Sequence, residues 1–131
     1  MGHEEFVKRY YQIAERALIM AQIVREKGFL ELDKEIDHEK AEDRDILEYG
    51  LRFVIDGVDG EFIDRLLSNI IRQEKDEYAF TLKNIQKEAV MSIYWGWNPR
   101  MIYYLLNSYT DISLKDDEVR KRLEKCHGNV L

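Results

Sequence analysis

Proline and cysteine each occur once in this chain of 131 residues. A lone cysteine excludes an intramolecular disulfide, and such sparing use fits a reducing compartment best. One proline and seven glycines are too few turn-formers for a sandwich or barrel of many short strands. Long apolar runs are missing as well. The longest, Met101 to Leu106, has six residues, against the ~18 to 20 of a membrane-crossing helix. Basic excess is also absent: 26 acids outweigh 20 bases for a net charge of -6, so no strong field draws the chain to phosphate backbones or anionic lipid. Nucleic acid is therefore not an expected partner. The opening "MGHEEF" has no apolar core like that of a signal peptide, and Phe6 stands where a myristoylation signal has Ser or Thr. The expectation is a cytoplasmic chain with no direct membrane insertion.

What is present is a mixture of 45% hydrophobic and 35% charged residues, too apolar for disorder and long enough for one domain with its own core. The expected fold class is all-α: a compact bundle of about five to six helices, forming a single domain over residues 1–131. From Glu4 to Lys27, Phe6, Tyr10, Ile13, Ala17, Met20, Ala21 and Val24 recur every three or four positions, the spacing of one helix face. Gly28 follows Arg25 and Lys27 as a helix terminator with cations at the negative end of the dipole. Phe29 to Ile36 reads as a brief helix, and "DHEKAEDRD" as a charged linker. Asp45 to Ile55 carries an apolar stripe of Ile46, Leu47, Leu51, Val54 and Ile55, and "DGVDGE" turns the chain, with Asp59 as the candidate N-cap.

Between Glu61 and Trp95 neither Gly nor Pro occurs, and one straight helix of that length would run roughly 50 Å at 1.5 Å per residue. Its stripe of Phe62, Ile63, Leu66, Leu67, Ile70 and Ile71 stops at "RQEKDE" and resumes at Tyr78, Leu82, Ile85, Ala89 and Ile93. The segment 61–95 is thus either one long helix projecting into solvent or a kinked pair. Gly96 can end it, and Asn98-Pro99 reads as an N-cap followed by proline at the first helical position. The expectation is a Gly-x-Asn-Pro helix hairpin, with its second helix over Pro99 to Tyr109. A last charged helix is expected from about Leu114 to Lys125, with Leu114, Val119 and Leu123 as its thin apolar face.

Catalytic chemistry needs convergent groups, and the chain offers few. His3, His38 and His127 fall in segments read as terminal or loop, and Cys126-His127 alone lacks the paired spacing of a zinc site. In "DGVDGEFID", Val58 and Gly60 occupy places where a calcium loop needs oxygen ligands. No phosphate-binding loop, dinucleotide fingerprint or nucleophile set can be assembled. The expectation is a protein that is not an enzyme, with no catalytic residues, cofactor or metal.

Three patterns in chain order, "VREKGFLELDKEID", "LRFVIDGVDGEFIDRLL" and "AVMSIYWGWNPRMIYYLLNSY", together resemble the cytoplasmic part of the flagellar motor stator subunit family, MotA. The first is similar to the family's basic-rich helix end, Gly and Leu/acid-rich stretch. The second is similar to its Val-Asp-Gly turn, and the third to its Gly-x-Asn-Pro-Arg motif. The likeness spans about residues 12 to 110. In the family, two membrane helices precede the first pattern and two more separate the second from the third; here "RQEKDEYAFTLKNIQ" joins them. The resemblance implies a stator-type domain of the chemotaxis and motility apparatus without its ion channel, as a natural paralogue or an engineered deletion.

That resemblance also implies a site. The family's cytoplasmic portion engages the rotor protein FliG through complementary charges, and the matching positions are Arg25 and Asp33. The implied partner is a FliG-like rotor protein or another stator or motor subunit, at the flagellar motor. Trp95, Trp97, Tyr103 and Tyr104 depart from the family's polar residues, while Arg100 between them keeps the family's motif. This cluster reads either as core packing of a closed hairpin or as a surface for another subunit or for a homo-oligomer, in preference to a small-molecule pocket. The alternative function is a self-associating helical scaffold or regulatory adaptor outside the motor.

Overall fold

The computed structural model describes residues 1–37 and 45–130, with side chains as far as Cys126, and among these it contains seven helices and no strand. The charged linker, His38 included, falls mostly outside the described residues, as does the His127 side chain.

Helix α1 (His3–Lys27) ends where expected. Gly28 takes φ 89°, and its N–H donates to the Val24 carbonyl at 2.9 Å before α2 (Phe29–Glu35) begins. Phe6, Tyr10, Ala17, Met20 and Ala21 are buried, joined by Ala14, Leu18 and Ile23. The buried face is wider than one stripe because α1 packs against four other helices, α2, α5, α6 and α7.

Helix α3 (Ile46–Ile55) starts at Asp45, whose carboxylate accepts the Glu48 N–H. It closes in a Schellman turn, with Gly57 at φ 77° and the Val58 N–H reaching the Phe53 carbonyl at 3.0 Å. Asp59 then caps α4 (Gly60–Ile71) by accepting the Glu61 N–H. The segment 61–95 is neither one straight helix nor a kink but two helices, α4 and α5 (Glu77–Tyr94). Polar side chains break it without Gly or Pro. The Glu74 carboxylate accepts the N–H groups of Lys75 and Asp76, and Asp76 caps α5 through the Ala79 N–H at 2.8 Å. These bonds and the Lys83 ammonium hold the Glu74 carboxyl below its usual range. This break makes seven helices where five to six were expected.

Helix α5 contacts α1, α3, α4 and α6, so α1 and α5 form the centre of the all-α bundle. Ile85, Ala89 and Val90 are fully buried along it, each large aliphatic contributing about 1.5–3 kcal/mol against exposure. Phe62, on the expected apolar stripe, is 55% exposed, and Met101 is 62% exposed. Helix α6 (Pro99–Asn107) begins with Asn98 accepting the Arg100 N–H and Pro99 at its first turn. Helix α7 (Asp116–Val130) runs past the expected Lys125, burying Val119 and Cys126, with Arg122 4.2 Å from the Tyr11 ring centroid and Lys125 paired to Glu15 at 2.7 Å.

Candidate functional site

Arg25 and Asp33 stand on either side of the Gly28 junction, one in the last turn of α1 and the other in α2, and both are exposed. Gly28 at positive φ turns the chain sharply there, a geometry that residues with a Cβ rarely adopt. Leu32, between them in sequence, is fully buried and pins α2 to the bundle. The two opposite charges are thus exposed on either side of one helix junction.

The aromatic cluster divides. The helix end repeats the Schellman geometry: Gly96 is at φ 73°, and the Trp97 N–H donates to the Ser92 carbonyl at 3.1 Å. In such turns a hydrophobic contact often ties the residue after the glycine to the last helical turn. At the α3 end that residue is Val58, half-buried; here it is Trp97, opposite Ser92 and 48% exposed. Trp95 is 60% exposed, with its ring edge-on to Tyr94 at 5.0 Å.

Tyr103 corrects the expected surface. It is fully buried under α7, because helical spacing turns it to the same side as Ile102 and Leu106. Its hydroxyl makes no hydrogen bond of normal geometry among the described residues, and burial pushes its pKa up, opposed by the nearby Arg122 charge. Tyr10, also fully buried, donates to Asn107 Oδ1 at 3.0 Å, and Asn107 Nδ2 in turn holds the Ile112 carbonyl at 2.9 Å. Tyr104 is half-buried and donates to Asp116 at 2.5 Å, with the exposed Arg100 guanidinium 5.7 Å from its ring centroid. Trp97, Met101, Tyr104 and Leu105 line an open, mainly apolar groove of about 560 Å³. Sequence spacing alone does not place Met101 and Leu105 here; the facing of α6 does.

Two features went unread in the sequence. One is a partly buried ion pair, Arg16 to Glu48 at 2.9 Å, joining α1 to α3. The other is a cavity of about 510 Å³ where the start of α4 meets the end of α5, lined by carboxylates and aromatic rings. Each brings together residues remote in sequence, and no local pattern signals either. Among the described residues, no group of three or more His, Cys, Asp or Glu side chains could hold a metal ion, and no helix is long and apolar enough to cross a membrane. Compared with known proteins, the chain matches no family model, no curated protein and no solved structure.

Proposed function

We propose that this chain is a non-enzymatic protein–protein interaction domain of the flagellar stator type, resembling the cytoplasmic, rotor-facing part of a MotA subunit without channel helices. The observation that carries the reading is the exposure of Arg25 and Asp33 on either side of the Gly28 turn. The three patterns that carry the resemblance also coincide with helix ends: Gly28, the Asp56 to Asp59 turn, and Gly96 through Pro99. The described helices include none fit to cross a bilayer, which agrees with a stator-type domain without channel helices. Docking would use the charges at this junction to select a rotor-like partner and raise its association rate, with neighbouring apolar surface holding the complex.

Arg25→Glu is expected to weaken binding to a FliG-like rotor domain about tenfold, and charge reversal on the rotor side to restore part of it. Calorimetry on the four combinations reads this directly. Affinity unchanged by either reversal, or no binding by the unaltered chain, removes the assignment. A second reading, a self-associating scaffold, is favoured by the exposed Trp97 and Met101 along the apolar groove of α6.

A further inference from the structure

The cavity between α4 and α5 has the composition of a cation site. Asp59, Glu61, Asp64 and Glu88 line it with a single ammonium, Lys87. Lys87 is drawn to the α4 side, with Nζ 2.9 Å from Asp64 Oδ1 and 2.9 Å from Ser68 Oγ, so its charge is spent largely on Asp64. Glu61 has Arg65 at 3.6 Å on the exposed helix surface, and Asp59 caps the Glu61 N–H. Among the described residues, Glu88 accepts only a neutral donor, the Tyr109 hydroxyl at 3.1 Å. Negative charge therefore remains in excess inside the cavity.

Aromatic side chains complete it. Tyr94, Trp95 and Tyr109 share the lining. The Tyr94 ring lies against Gly60 so closely that a Cβ there would come within 2.5 Å of it, which fixes the ring on the cavity wall. Trp95 stands edge-on to that fixed ring and is 60% exposed, and no helix cap requires an indole there. Acidic capping and the α4 dipole account for Asp59 and Glu61. They account for neither Glu88 on α5 nor three rings around the same space. Aromatic rings and carboxylates around one opening favour an organic cation, a guanidinium or an alkylammonium, over a bare metal ion.

We propose that this acid-and-aromatic cavity binds the guanidinium or ammonium of an Arg or Lys side chain presented by a partner protein. The ring faces take the flat or alkyl part of the side chain, and Glu88 and Glu61 take its charge. The site shares no residue with Arg25 and Asp33, and it stands or falls independently of the stator-type reading.

The test is a heteronuclear NMR titration of the full chain with N-acetyl-arginine amide, N-acetyl-lysine amide, tetramethylammonium chloride and, as the neutral control, N-acetyl-glutamine amide. The two basic amides are expected to shift the Trp95 indole and Tyr109 signals while leaving the Trp97 indole in place. Glu88→Gln should weaken that response roughly fivefold. Exposed Glu61→Gln leaves the core untouched and should also weaken it, which keeps the test valid if Glu88→Gln loosens the fold. Trp97→Ala should leave it unchanged. Absence of a Trp95 response to the basic amides, an equal response to the glutamine amide, or a response to tetramethylammonium alone overturns the proposal.

Discussion

Glu48 is 7% exposed and gives one oxygen, Oε1, to Arg16, 3.1 Å from Nε and 2.9 Å from Nη2, while Oε2 makes no hydrogen bond of normal geometry among the described residues. Burial raises its pKa above the ordinary 4.5, and the Arg16 bond and charge offset only part of that rise. The folded chain therefore holds this proton more tightly than the unfolded chain does. Stability from protonated Glu48 is fully present below pH 4.5 and is lost as pH rises through the higher folded value. Glu48→Gln removes the titration. The unfolding free energy of the unaltered protein, measured relative to this variant in urea, is expected to decline with rising pH above 4.5. A difference that is flat or grows with pH would show that Arg16 outweighs burial. In the sequence Glu48 sits among apolar residues of α3, and nothing local signals the Arg16 guanidinium that reaches it from α1.

At the scale of elements, Gly50 decides how closely α3 approaches its neighbours. A Cβ at this position would lie 2.7 Å from Val90 Cγ2 on α5 and 3.0 Å from Leu67 Cδ1 on α4. In an open helix Gly→Ala would stabilise by about 1 kcal/mol. Here the new methyl meets a fully buried, β-branched side chain whose χ1 is restricted, and overpacking of this kind costs about 1–3 kcal/mol. Gly50→Ala is expected to lower unfolding stability by about 1 kcal/mol net, less so in a Val90→Ala background. Stabilisation by the single change would mean that α3 and α5 can separate at little cost. The sequence marks Gly50 only as a glycine inside an apolar stripe. Helix ends were far more legible, since Gly28, Asp59, Gly96, Asn98 and Pro99 act through neighbours a few residues away. The missed break between α4 and α5 was also written locally, in Glu74 and Asp76, but in carboxylates that double as ordinary surface charges.

For the whole molecule, net charge and exposed apolar area act in opposite directions. A charge of -6 sets copies repelling one another, while the Trp97 and Met101 groove gains from being covered. Added salt screens the repulsion, with a screening length of about 10 Å at 0.1 M. Self-association through the groove should therefore strengthen with salt, whereas docking through Arg25 and Asp33 should weaken. Light scattering on the unaltered chain is expected to show a larger mass at high salt, and Trp97→Ala to abolish the increase. A strict monomer at every salt concentration removes the self-associating scaffold as a reading.

Composition and apolar period sufficed for the helical class and most helix limits, because each depends on spacing along one helix or on a cap within one turn. Packing decided what spacing leaves open. It sent Tyr103 inward and Met101 outward on the same helix, matched Glu48 with Arg16, and brought Asp59 and Glu61 to face Glu88 and Trp95. These are contacts between elements, set by which face each helix turns to its neighbours, and their information is spread over the whole core.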